Sequence, residues 1–137
     1  MFQLYSKSCE YALKALMQFP PKNDETKLSL RGICQQANIP EAYTRKVFQA
    51  LVQAGFLRAV TGPSGGYQLS GSPQTISLLD IIHAVEGPKV FDRCLMGAVS
   101  CRSKNKCPVH ETWLAVRGSL LDALEKKTLA ELIEGKT

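Results

Sequence analysis

The stretch Ser29-Leu30-Arg31-Gly32-Ile33-Cys34-Gln35-Gln36-Ala37-Asn38-Ile39-Pro40-Glu41-Ala42-Tyr43-Thr44-Arg45-Lys46-Val47-Phe48-Gln49-Ala50-Leu51-Val52-Gln53-Ala54-Gly55 decides the fold. Residues 28–37 read as a short helix with Ser29 at its N-cap, since a serine hydroxyl there satisfies a free backbone N–H. Leu30, Ile33, Cys34 and Ala37 share its inner face. Asn38-Ile39-Pro40 reads as a tight turn: asparagine tolerates left-handed backbone, and Pro40 suits the first position of a new helix. That helix is expected from Pro40 to Ala54, ended by Gly55. Val47, Phe48, Leu51 and Val52 face inward, and Ala42, Arg45, Lys46, Gln49 and Gln53 outward. A short helix, a tight turn and a second helix with a polar, basic outer face is the helix-turn-helix pattern.

The next residues extend it. Phe56–Val60 reads as a strand, Thr61-Gly62-Pro63-Ser64-Gly65-Gly66 as a turn and Tyr67–Ser70 as a returning strand. A hairpin directly after a recognition-type helix is a wing. Its glycine-rich tip lets backbone N–H groups approach a phosphate, with Arg58 adding charge nearby.

Upstream, residues 6–19 predict an amphipathic helix with Cys9, Ala12, Leu13, Leu16 and Met17 on one face, Ser6 or Ser8 as cap and Pro20-Pro21 as stop. Cys9 and Cys34 on apolar faces read as small core hydrophobes. Downstream, Ser77–Gly87 is a further short helix whose His83 reads as a surface or core histidine. Pro108 opens a long helix to about Lys127, with Cys107 at its N-cap. Trp113, Leu114, Val116, Leu120, Leu121 and Leu124 form a stripe wider than one contact face needs. A twofold dimer would bury it, with Trp113, Val116, Leu120, Leu121 and Leu124 at the interface. Residues 128–133 read as a final short helix.

The expected fold is thus mainly α with a small β-hairpin wing. A winged helix-turn-helix domain spans 1–72, a connecting helix 73–91, a cysteine-rich loop 92–110, and a dimerisation helix and tail 111–137.

Charge divides along these lines. Seventeen basic residues stand against twelve acidic ones. Residues 1–60 hold eight basic and four acidic side chains, and residues 87–107 five and one. The first excess suits a polyanion such as DNA, and the second suits a loop that holds negative charge. No apolar run approaches the roughly 20 residues that cross a bilayer, and the N-terminus lacks a secretory signal pattern. The expected location is the cytoplasm, where cysteines bind metals or do chemistry more often than they form disulfides.

Three of the five cysteines, Cys94, Cys101 and Cys107, fall in one polar loop with C-x6-C-x5-C spacing, and His110 follows. Thiolates bind metals, and Arg93, Arg102, Lys104 and Lys106 favour that charged form. The gaps match neither the C-x2-C knuckles common in zinc sites nor the C-x2-C-x2-C run of bacterial ferredoxins. Spacing therefore leaves iron–sulfur and zinc open, with a metal-free thiol switch as a third reading.

Taken together, the helix containing Ser6-Lys7 and Tyr11-Ala12-Leu13, then Tyr43, Phe48 and Gly55-Phe56-Leu57, resemble the Rrf family of bacterial winged-helix regulators. The wing Gly62-Pro63-Ser64-Gly65-Gly66-Tyr67-Gln68-Leu69, the three-cysteine loop and Thr128-Leu129-Ala130-Glu131-Leu132 complete the likeness, which is to the IscR and NsrR type of iron–sulfur sensor. The resemblance implies a homodimer on a palindromic double-stranded operator. It also implies a [2Fe-2S] or [4Fe-4S] cluster on Cys94, Cys101 and Cys107. His110 matches the fourth ligand of one subtype; in the other an acidic residue near the partner's N-terminus serves, where this chain has Ser8 and Glu10. The first cysteine gap is one residue longer than in the IscR type.

Expected DNA contacts are Lys7, Ser29, Ala42, Tyr43, Thr44, Arg45, Lys46 and Gln49 on the helical part, and Arg58, Ser64, Gly65, Gly66 and Tyr67 on the wing. No nucleotide loop, nucleophile motif or acid/base pair points to an enzyme. A small electron carrier is the remaining rival, and it has no evident need of a wing.

Overall fold

The computed structural model describes residues 6–21, 26–92 and 108–135. The elements run α1 (Lys7–Leu16), α2 (Leu30–Ala37), α3 (Glu41–Gln53), β1 (Leu57–Val60), β2 (Gly66–Leu69), α4 (Leu78–Glu86), α5 (His110–Lys126) and α6 (Leu129–Glu134). This is the mainly helical fold with one antiparallel hairpin read from the sequence.

Local chemistry sets most boundaries. Ser6, Ser29, Ser77 and Thr128 each accept a backbone N–H at the start of α1, α2, α4 and α6. Asn38 is left-handed (φ 56°) and ends α2, its N–H returning to the Cys34 carbonyl. Pro40 is extended and serves as the N-cap of α3, one position earlier than expected. Gly55, with φ 86°, turns the chain out of α3 into β1, a conformation that favours glycine.

The core gathers the inner faces of α1, α2, α3, α4 and α6. Leu16, Phe19, Ile33, Phe48, Leu51, Leu57, Ile81 and Leu129 are essentially inaccessible. Ala15 and Phe19, not assigned to the core from sequence, lie in it. The β1–β2 register pairs Leu57 with Leu69 and Arg58 with Gln68. Leu28 adds a bridge on the other edge of β2, with reciprocal hydrogen bonds to Tyr67 of 2.9 and 2.8 Å. The segment before α2 is thereby stitched to the wing.

Packing runs through the expected boundary at residue 72. α4 packs on α1 and α3, and α6 places Leu129 and Ile133 in the main core. A second small cluster of Cys9, Ile82 and Phe91 is flanked by Leu120, Leu121 and Leu124 of α5. A clip secures the far end of α5. The Leu78 N–H donates to the Lys127 carbonyl (2.7 Å), and the Leu129 N–H donates to the Ile76 carbonyl (2.8 Å).

Leu129 tests whether this late helix carries stability. With the side chain fully buried, Leu129→Ala should destabilise the protein by about 2–5 kcal/mol in chemical denaturation. A change below about 1 kcal/mol, the range of an exposed substitution, would mean α6 is not docked.

Candidate nucleic-acid interface and cysteine loop

α3 separates its faces as the spacing requires. Thr44, Val47, Phe48 and Leu51 are buried, while Ala42, Tyr43, Arg45, Lys46 and Gln49 are exposed. Thr44 corrects the sequence reading: it is 0% exposed, and its hydroxyl donates to the Pro40 carbonyl at 2.7 Å. It belongs to the inner face and closes a backbone acceptor, so it presents nothing to a groove.

Tyr43 stands 51% exposed at the edge of α3. Its ring meets Tyr11 of α1 edge-on, centroids 5.5 Å apart, and Lys7 Nζ lies 5.9 Å from the Tyr11 ring centre. Such contacts orient rings by their quadrupoles. Glu10 ion-pairs with Lys7 (2.9 Å) and Lys14 (3.0 Å). These hydrogen bonds, first to Lys7 and then to Lys14, hold the Glu10 carboxyl below its ordinary range. The start of α1 thus lies beside α3 with Lys7 on the same side as Tyr43. Tyr11 was read only as part of the family likeness; its contact with Tyr43 was not, because that partner lies 32 positions away.

On the wing, Arg58 donates through Nε to Gln68 Oε1 at 3.1 Å, and Nη2 contacts the same oxygen. The cross-strand partner therefore aims the guanidinium. Ser64 is exposed at the tip. Gly65 and Gly66 have a reason other than phosphate approach. A Cβ on Gly65 would stand 2.1 Å from the Val60 carbonyl oxygen, and one on Gly66 would stand 2.5 Å from the Leu28 carbonyl oxygen. Backbone crowding alone requires both glycines. Tyr67 is half-buried, its ring packed edge-on to Phe48 at 4.8 Å, so that ring is first a core group. Ser29 remains exposed while its hydroxyl accepts from the Gly32 N–H at 3.0 Å.

Of the expected metal ligands, only His110 lies among the described residues; Cys94, Cys101 and Cys107 fall outside them. His110 is the first residue of α5 and 6% exposed. Val109 is the N-cap of α5, not Cys107, so the helix begins two residues later than expected and His110 opens it. The residues before the loop are held as well: Arg117 of α5 donates through Nη1 to the Phe91 carbonyl at 3.3 Å. Cys9 and Cys34 are core thiols, as read from their positions.

On α5, Trp113, Leu120, Leu121 and Leu124 are half-buried and Val116 is 53% exposed. Leu120, Leu121 and Leu124 use part of their surface on this chain's own cluster with Cys9 and Ile82. His83 is half-buried on α4. No helix among the described residues is long and apolar enough to cross a membrane.

A helix pair whose second helix presents a basic face, followed by a hairpin wing, defines a DNA-binding head. The class is a winged-helix transcription regulator. Residues 5–135 match the Rrf2 family, described as "Iron-dependent Transcriptional regulator", and the chain belongs to that family. It is 29% identical to the HTH-type transcriptional regulator IscR of Vibrio vulnificus over 90% of this chain and 73% of that one. It is also 29% identical to the HTH-type transcriptional regulator CymR of Bacillus subtilis over 89% of this chain and 83% of that one. The solved structure of CymR, the global cysteine regulator of B. subtilis, superposes with a TM-score of 0.82 at 27% identity over the whole of both chains. That of T. potens IscR gives 0.75 at 25% identity over 94% of this chain and 85% of that one. The protein is a DNA-binding transcription regulator and not an enzyme.

The buried Cys9 thiol gives a chemical test of its exclusion from any metal site. Burial, with the Glu86 carboxylate adding to it, pushes this thiol up to about 12. A folded-state value above the unfolded one means the stabilising contribution is complete below about pH 9. It declines as the pH rises from there through the folded value. Iodoacetamide at pH 8 should therefore leave Cys9 unlabelled until the protein is denatured, and Cys9→Ala should flatten the stability loss between about pH 9 and 12. Rapid labelling of the native protein at Cys9 would contradict the burial.

Proposed function

We propose that the protein binds operator DNA as a twofold homodimer, with Ala42, Tyr43, Arg45, Lys46 and Gln49 of α3 at the major groove. Lys7, Ser29, Arg58 and Ser64 meet the backbone beside it, and main-chain groups at Gly65 and Gly66 approach the wing's phosphate. An iron–sulfur cluster on Cys94, Cys101 and Cys107 controls this binding, with His110 completing the set. The observation that carries the reading is the position of the three-cysteine segment. In sequence it joins Phe91, whose carbonyl is held by Arg117 of α5, to the buried His110 at the start of α5. Any group bound there sits between the DNA-reading head and the helix that would join two heads.

The donor set fits such a cluster. Three thiols and an imidazole are the ligand types that iron–sulfur centres use, and four nearby cations favour thiolates over thiols. When bound, a cluster supplies iron–thiolate bonds that crosslink the loop. His110 is preferred over Glu10 of the partner subunit because Glu10 is already paired with Lys7 and Lys14. Zinc on the same residues is the alternative occupant. A metal-free thiol switch is supported by the likeness to CymR, the global cysteine regulator of B. subtilis.

The dimer reading rests on α5, whose half-buried Leu120, Leu121 and Leu124 and exposed Val116 leave apolar surface that a second copy would cover. Sedimentation equilibrium should give twice the chain mass of 15.1 kDa, and Val116→Arg should shift it towards the monomer. A monomeric wild type that still binds a palindromic operator would remove the arrangement.

Anaerobic purification with iron and sulfide assays tests the cluster. Coloured protein with both elements is expected, and Cys94→Ala, Cys101→Ala or Cys107→Ala should each abolish the colour. Colourless protein holding one zinc per chain would replace iron–sulfur by zinc, and protein with neither metal would leave the thiol switch. Titration of an operator duplex with cluster-loaded and cluster-free protein should give different affinities; equal ones would sink the control.

A further inference from the structure

Glu41 is the one acidic residue between Thr26 and Leu79, a span that holds five basic residues and both the helix pair and the wing. A carboxylate on a surface that faces phosphates weakens binding, so its presence calls for another role. It stands in the first turn of α3, and its two oxygens engage arginines of two different helices. Oε1 accepts from Arg45 Nη2 at 3.4 Å, and Oε2 lies 4.0 Å from Arg31 Nε. All three side chains are well exposed.

We infer that Glu41 is a specificity-determining, positioning residue for DNA recognition, acting through Arg45. The inference rests on the proposed groove-facing role of α3. A free arginine on a helix surface samples many rotamers and binds any nearby phosphate. Arg45 tied at Nη2 to a residue one turn earlier loses part of that freedom while keeping its other N–H donors for a planar acceptor. Guanine, with O6 and N7 side by side in the major groove, is the base edge such a guanidinium fits. The Glu41 carboxylate also repels phosphates that approach without a matching base. Discrimination increases in two ways: the correct complex loses less arginine entropy, and the sequence-independent complex is weakened. Arg31 on α2 lies on the other side of the carboxylate, with Nε 4.0 Å from Oε2.

The test uses the full-length dimer and two duplexes, an operator enriched from a random pool by the wild-type protein and a scrambled duplex of equal composition. Affinities of wild type, Glu41→Gln, Arg45→Ala and the double variant are measured on both at several salt concentrations. Glu41→Gln is isosteric at an exposed site, and an unchanged melting temperature confirms that the fold is intact. It should tighten scrambled-duplex binding several-fold, tighten operator binding less, and lower the ratio of the two by roughly 3- to 10-fold. Arg45→Ala should weaken operator binding by roughly 5- to 150-fold, and in that background Glu41→Gln should leave the ratio unchanged.

An equal effect of Glu41→Gln on both duplexes would overturn the inference, because a general charge change acts uniformly. The same fall in ratio without Arg45 would overturn it too. If Arg45→Ala leaves operator affinity unchanged, the groove-facing assignment of α3 fails and the role of Glu41 falls with it. If Arg45→Ala weakens binding while Glu41→Gln spares the ratio, the role of Glu41 falls alone.

Discussion

The edge-on contact of Phe48 with Tyr67, 4.8 Å between ring centres, is the joint on which the DNA-reading geometry depends. Phe48 is fully buried on the inner face of α3, and Tyr67 sits on the strand that returns from the wing tip. A ring pair in a packed core holds both position and tilt, since sliding either ring forfeits dispersion contacts and the favoured edge-to-face arrangement. Tyr67 also exchanges two backbone hydrogen bonds with Leu28, so the segment leading into α2 is held by the same residue. Recognition helix, wing and the start of the helix pair therefore move as one body. A head that must place α3 and a wing on the same stretch of duplex benefits from that rigidity, because ordering them on binding would subtract from affinity.

The sequence made most of this frame legible and missed its cross-connections. The helix-turn-helix was readable because its signals are local: Ser29 caps, Asn38 turns left-handed, and the apolar spacing of Val47, Phe48 and Leu51 marks one face. Thr44 obeys the same spacing, one turn before Phe48, and was placed among the expected DNA contacts. The structure resolves the conflict through the Pro40 carbonyl, which satisfies the hydroxyl inside the helix. A threonine at an inward position can always close its own helix in this way. Gly65 was correctly placed in the turn, while Gly66, read there too, opens β2. Both glycines are required by backbone crowding from Val60 and Leu28, and Leu28 lies 38 positions from Gly66, beyond any local pattern.

The limits were similar elsewhere. α6 was visible as a short helix, since Thr128 and Glu131 form a capping box. That it plugs the main core was not visible, because a short apolar face does not name its partner. The start of α5 was misread by two residues: proline is favoured at a first helical position, yet Pro108 and Val109 lie in a turn before His110. This matters for the candidate metal site. The expected helix ran through His110 from Pro108, whereas the structure puts His110 at the helix start and nearly out of solvent. Its candidacy now rests on ligand type and place in the chain.

The anchoring of α5 constrains how a signal in the cysteine loop can reach DNA. α5 is tied at its middle by Arg117 to the Phe91 carbonyl and at its end by the Lys127–Leu78 hydrogen bond and the docked α6. Between them, Leu120, Leu121 and Leu124 lie against the cluster of Cys9 and Ile82, which joins α1 to α4. A helix fastened to its head from its middle to its end has little freedom to swing against it. Under the proposed control, ordering of the loop would change the head internally only at the expense of these contacts. The cheaper response is for head and α5 to shift together against the partner's head and helix. Interfaces between rigid bodies tend to have discrete packings, and small local changes are amplified there into a change of spacing. In the proposed dimer, two heads reading a palindrome would have to match the helical repeat of DNA, so a change in their separation would gate binding without altering either reading surface.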